Sequence, residues 1–126
     1  METADENCPI ELAMKLINKK WVIQILRDMF FGKSRFNEFK EDKPNFSNTV
    51  LSHCLKDMED NQLIKRVVND DITEYKLTKR GQALNKVLYE LAMFTLTSDL
   101  AEKYFTEEKV FSLKNRFADV LLNEDG

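Results

Sequence analysis

Glycine, proline, histidine and cysteine are all scarce in this 126-residue sequence, and each scarcity excludes a kind of chemistry. The three glycines, Gly32, Gly81 and Gly126, stand far apart, so there is no Gly-rich loop whose backbone could cradle a phosphate. One histidine, His53, and two cysteines, Cys8 and Cys54, offer no CxxC or HxxxH spacing, which excludes a zinc site and a disulfide framework. There is no GxSxG, and no pair of carboxylates stands out from a solvated background, so an enzyme is not expected, nor a cofactor or a metal. No run approaches the roughly 18 apolar residues of a membrane span, and the opening METADEN has neither a basic nor an apolar signal region. The expectation is a cytoplasmic protein that does not enter a membrane, with its thiols reduced.

What is present is the material of one helix-rich domain. Hydrophobic residues make up 43 % and charged residues 33 %, a balance that supports a packed core and not a disordered chain. The net charge of −3 looks unfavourable for nucleic acid, but its distribution is uneven. Residues 1–98 carry 15 acids and 15 bases, whereas residues 99–126 carry 7 acids and 4 bases. All the excess acidity lies in the last piece, and the first part is free to form a basic face.

Periodicity then divides the chain. Pro9 suits a first helical turn with Cys8 at the cap, and Ile10, Ala13, Met14 and Ile17 continue a stripe over about 9–18. Trp21, Ile25, Leu26 and Met29 begin a second helix that Gly32 closes. Ser34 is the expected N-cap of a short third helix carrying Phe36 and Phe39 and ending before Pro44. Ser47 caps a fourth, with Leu51, Leu55 and Met58 on one face and an exit at Asn61-Gln62. LIKRVVN and ITEYKLT, separated by Asn-Asp-Asp, read as a β-hairpin over 63–78. A long amphipathic helix from Thr78 to about 97 and a terminal helix at about 107–122 complete the pattern. The fold class is therefore mainly α with a small β-hairpin wing: a winged helix-turn-helix with extra N- and C-terminal dimerisation helices. The expected organisation is a flexible acidic stretch at 1–7, the winged domain with its dimerisation helices at 8–98, and a C-terminal helical extension at 99–126.

Several stretches also look familiar together. CPIELAMKLINKKW, ILRDMFFGKSRFNEFK, VLSHCLKDMEDNQLIKR and EYKLTKRG occur in that order over about 8–92, and in this the chain resembles the HxlR-type regulators of the wider MarR-like winged-helix group. The resemblance implies a homodimeric, DNA-binding transcriptional regulator. The chain departs from that pattern at His53 and Cys54, where basic side chains are usual, and at the acidic wing tip, Asn69-Asp70-Asp71.

In a helix-turn-helix the second helix enters the major groove. The face opposite Leu51 and Leu55 carries Asn48, Thr49, Ser52 and His53, short donors and acceptors suited to base edges; asparagine can pair bidentately with adenine, and a threonine methyl can pack on thymine. Phosphate contacts are expected from Lys33, Arg35, Lys40, Lys43, Lys56, Lys65, Arg66 and Lys76, which would position the protein without reading sequence. Double-stranded DNA and a second copy of the chain are the expected partners, because one recognition helix covers only a few base pairs. The terminal helix either joins the two-fold interface or folds back on its own subunit. Cys8, at the positive end of a helix dipole, would gain thiolate character, with Glu6 and Glu11 opposing it. The resemblance implies that a cysteine in this CP motif senses oxidants or electrophiles, a small-molecule effector of unknown identity; a structural, inert thiol is the alternative. A winged-helix protein-interaction module without specific DNA binding is the second functional reading, and a positive belt around residues 48–60 would argue against it.

Overall fold

The computed structural model describes residues 8–123, and the acidic stretch at 1–7 lies outside the described residues. The chain divides into two compact units, one running to Gly81 and the other from Gln82.

In the first unit α1 (Pro9–Ile17) starts at Cys8, with Pro9 in the first turn where its missing N–H costs nothing. None of its residues is buried, and Ile10, Leu12 and Met14 face outward. Helix α2 (Val22–Phe30) buries Val22, Ile25, Leu26 and Met29. It ends where Gly32 takes φ 107°, the Gly32 N–H donating to the Met29 carbonyl and the Lys33 N–H to the Asp28 carbonyl. These two bonds satisfy carbonyls that the helix end would otherwise leave unpaired. A 3-10 helix, Phe36–Lys40, follows and buries Phe39. Its cap is Arg35 and not Ser34. The Glu38 carboxylate accepts from the backbone N–H groups of both Ser34 and Arg35. Ser34 is otherwise occupied: its hydroxyl donates to Glu74 and its carbonyl accepts from the Tyr75 N–H at 2.7 Å.

Helix α3 (Asn48–Asp60) begins as expected at Ser47, whose hydroxyl accepts from the Val50 N–H at 3.1 Å. At its other end Gln62 adopts φ 60°, and the N–H groups of Gln62 and Leu63 donate to the carbonyls of Glu59 and Met58. Met58 and Leu63 are both buried, the apolar contact that accompanies such a helix end. Strands β1 (Ile64–Asn69) and β2 (Ile72–Leu77) pair antiparallel with Lys65 opposite Lys76 and Arg66 opposite Tyr75. Asp70 turns the hairpin with φ 55°, a conformation its short polar side chain tolerates.

Thr78 ties the root of this hairpin. Its hydroxyl donates to the carbonyls of Gln62 and Leu63 and accepts from the Gly81 N–H, and its own N–H reaches the Leu63 carbonyl. A Cβ on Gly81 would stand 2.1 Å from that same oxygen, so only glycine fits. The expected long helix over 78–97 is in fact two, α4 (Lys79–Gln82) and α5 (Asn85–Leu96). Thr78 and Arg80 bind α4 to the first unit, through the carbonyls of Leu63 and Asn61, whereas the Asn85 amide donates to the Leu121 carbonyl in the second. Ala83 and Leu84 keep the apolar period across the break, which is why periodicity does not register it.

The second unit comprises α5, a five-residue helix α6 (Leu100–Tyr104) and α7 (Glu107–Leu121), which is capped by Thr106 and packs on α5 of its own chain. Leu88, Leu96, Ala101 and Leu121 are buried there, while Val87, Leu91, Phe94 and Phe111 remain exposed.

The surroundings of Lys43 are not those of a phosphate contact. Lys43 cannot reach a phosphate: its side chain is 4 % exposed and its ammonium donates to Asp28 at 2.5 Å, to the Phe39 carbonyl at 3.1 Å and to Asp42 at 3.0 Å. A buried ammonium must be paired and hydrogen-bonded, and this one has no donor left for DNA. Lys43→Ala, which leaves Asp28 with Arg27 alone, is expected to lower unfolding free energy in urea by about 2–3 kcal/mol, short of the 3–5 seen when a buried charge loses all compensation. Gly81→Ala should cost about 1–3 kcal/mol by the same measurement, since the Leu63 carbonyl is backbone and must move.

Candidate nucleic-acid interface

Helix α3 divides its side chains sharply. Leu51, Cys54, Leu55 and Met58 are buried; Asn48, Thr49, Ser52, His53 and Lys56 are exposed. The apolar stripe fixes the helix in the first unit, and the same rotation turns the four short polar side chains out together. The face therefore presents hydroxyl, amide and imidazole groups together at the surface. Val50, 43 % exposed, borders that row.

The basic residues fall into distinct environments. Lys40, at the end of the 3-10 helix, donates to the side-chain oxygen of Asn48. Lys33 lies 3.8 Å from both Glu41 and Asp42, which offset its charge. Lys56 is 75 % exposed and only loosely paired with Asp60 at 3.8 Å. Arg35, Lys65, Arg66 and Lys76 are exposed. On the wing, Lys65 and Lys76 are cross-strand neighbours, and like charges placed opposite one another repel unless an anion lies between them. On the other face of the hairpin Tyr75 sits edge-on to Phe39, with ring centroids 6.4 Å apart, which fixes the wing to the 3-10 helix. Burial pushes the Tyr75 hydroxyl above its ordinary value, with Arg66 opposing.

Two acids shape the approach to α3. The backbone N–H groups of Ser34 and Arg35 hold the Glu38 carboxyl below its ordinary 4.5. Its contribution to the turn is therefore complete above that value and is lost as pH falls through the lowered one. Asp42 is held low chiefly by the hydrogen bond from Lys43.

Both thiols are free. Cys8 is half-buried at the start of α1, and its side chain makes no capping hydrogen bond. Cys54 is buried on α3 with its sulfur 3.9 Å from that of Met58, and desolvation pushes its thiol up to about 11. Among the described residues no group of three or more His, Cys, Asp or Glu side chains could hold a metal ion, and no helix is long and apolar enough to cross a membrane.

Two features escaped the sequence reading. Asp28 lies on the buried stripe of α2, three residues after Ile25, and a carboxylate on an apolar stripe is itself a sign of a buried partner. The bond from Lys40 to Asn48 joins a residue assigned to phosphate with one assigned to bases, and no sequence spacing announces it.

The HxlR-like helix-turn-helix family model matches residues 16–104, which span α2, α3, the wing and α5 and begin after Cys8. The chain is 37 % identical over 91 residues to the HTH-type transcriptional regulator YvaP of Bacillus subtilis strain 168, covering 69 % of this chain and 84 % of that protein. It is 34 % identical over 88 residues to YodB of the same strain, covering 67 % and 79 %. Among solved structures it is similar to the redox regulator HypR in its reduced form, with a TM-score of 0.68 and 28 % identity over 76 % of this chain and 99 % of HypR. The quinone-bound YodB from B. subtilis gives a TM-score of 0.62 and 33 % identity over 72 % and 99 %. With its two-faced α3, its hairpin wing and these relatives, the chain belongs to the HxlR-like helix-turn-helix family of transcriptional regulators.

Proposed function

We propose that the chain binds double-stranded DNA sequence-specifically as a homodimer on a pseudo-palindromic operator, and that modification of the Cys8 thiol switches this binding. The observation that carries the DNA reading is the exposed row Asn48, Thr49, Ser52 and His53 on a helix whose other side is buried. Helix α3 enters the major groove, and its short side chains meet base edges. The opposed Lys65 and Lys76 take phosphate, an anion that relieves their repulsion, and Arg66, on the face of the hairpin that carries Tyr75, takes another. Asp70 and Asp71 at the tip repel the backbone, so the root of the wing makes the contact. That arrangement favours DNA over the protein-interaction reading.

Dimerisation doubles a site that one helix would make too short. Its support is α1, on which no residue is buried while Ile10 is 71 % exposed. Apolar side chains on an outward helix are best covered by the same surface of a second copy. The thiol switch draws on Cys8 being half-buried with no capping hydrogen bond from its side chain, and on two relatives, HypR, a redox regulator, and YodB, seen with quinone bound. Oxidants and electrophiles are the effector class.

The test is fluorescence anisotropy of the reduced protein on the DNA just upstream of its own gene, with a scrambled duplex as control. Binding should be specific and should weaken steeply with salt, as phosphate contacts require. Ser52→Ala should narrow the preference over the scrambled duplex roughly fivefold, the worth of one hydrogen bond of about 1 kcal/mol. Arg66→Ala should weaken both duplexes alike. A Ser52→Ala loss that is equal on both would remove the base-reading role.

A thiol reagent at pH 8 should label Cys8 in the native protein and spare Cys54. A thiol at about 11 is ionised to only about one part in a thousand there. Labelling should change DNA affinity, and Cys8→Ser should abolish the change. Native labelling at Cys54 ahead of Cys8, found by peptide mass mapping, would overturn the assignment.

A further inference from the structure

Lys40 and Asn48 form a hydrogen-bonded pair across the turn into the recognition helix. An ammonium has three donors and no acceptor, so the Asn48 side chain must turn its oxygen toward Lys40 and its NH2 group away. Asn48 is the first residue of α3, the end from which a recognition helix reaches base edges, and it is exposed. No carboxylate pairs with Lys40 among the described residues; the neighbouring acids Glu41 and Asp42 face Lys33 and Lys43. The outward side of the pair is therefore a set of donors: the Asn48 amide and the remaining ammonium hydrogens of Lys40.

We infer that Lys40 and Asn48 act together as a two-donor fork that selects guanine, making Lys40 a specificity-determining residue and not a phosphate contact. This rests on the proposed DNA reading. Guanine presents two acceptors, N7 and O6, in the major groove, whereas adenine presents one acceptor and one donor. A lone asparagine matches adenine, with its oxygen accepting from N6 and its amide donating to N7. With a cation seated on that oxygen, an incoming adenine amino group meets positive charge, and the guanine O6 meets a donor. The start of α3 carries no long basic chain of its own, and the cation of the fork comes from the preceding 3-10 helix.

The experiment is selection of sites from a random duplex library by the intact wild-type protein, Lys40→Met, Lys40→Arg and Asn48→Ala. Both positions are at the surface, and thermal melts will establish that each variant is folded. The base read by the pair is the one whose preference Asn48→Ala abolishes. For the wild type that base should be guanine. In Lys40→Met the preference at that position should move to adenine, changing the guanine-to-adenine ratio about tenfold or more while the rest of the motif stays the same. Lys40→Arg keeps the donors and should keep guanine. Retained guanine in Lys40→Met with uniformly weaker binding, or adenine already selected by the wild type, would overturn the fork while leaving sequence-specific reading in place. No selected motif for the wild type would overturn both.

Discussion

The carboxylate of Asp28 is the point on which the first unit turns. It is buried on α2, where an unpaired charge would be strongly unfavourable, so it must be met by cations from within the fold. Arg27 binds one oxygen, and Lys43 binds the other at 2.5 Å. The Asp28 backbone carbonyl is also the acceptor that closes α2 through the Lys33 N–H. One residue thus sets where α2 stops and where the segment after the 3-10 helix must return. That return fixes the start of α3, because the Lys43 carbonyl receives the Phe46 N–H one residue before the Ser47 cap. Burial of such a pair contributes less to net stability than to the choice of one arrangement over others, since a shifted turn would leave two charges unsolvated.

The surroundings of α3 follow from that placement. Trp21 stacks on Phe46 with ring centroids 4.3 Å apart, closing the other side of the entry to α3. At the far end, the αL turn at Gln62 sends Leu63 into the core and leaves its carbonyl to collect Thr78. The wing is therefore positioned from its root, by backbone and Thr78 hydroxyl hydrogen bonds, and by the contact of Tyr75 with Phe39. An acidic tip is tolerable on a DNA-binding protein when the root carries Lys65, Arg66 and Lys76.

Electrostatics are allocated with similar economy. Of the basic residues around α3, Lys43 is committed to the interior and Lys33 is offset by two carboxylates. Lys40 is committed to Asn48, while Arg35, Lys65, Arg66 and Lys76 remain at the surface. The net charge of −3 is thus a poor guide to the face that matters, because all the excess acidity lies in residues 99–126.

The sequence by itself determined most of the elements and their order. The 3.6-residue stripes of α2, α3, α5 and α7, the cap at Ser47, the closure at Gly32 and the alternating hairpin all depend on local geometry, which neighbouring residues specify. The two-faced character of 48–60 was legible for the same reason. Tertiary structure alone decided the rest. Whether a lysine faces solvent or a buried carboxylate depends on residues fifteen positions away, which is why Lys43 read as a surface charge. The break between α4 and α5 depends on Thr78 and Asn85 binding different carbonyls, while the apolar period runs on through it. Ser34 loses its expected cap because Glu74, on the second strand, takes its hydroxyl. The orientation of Asn48 depends on a lysine eight residues earlier that only the 3-10 turn brings near. Periodicity records which side of an element is apolar, and long-range pairing decides which polar group meets which.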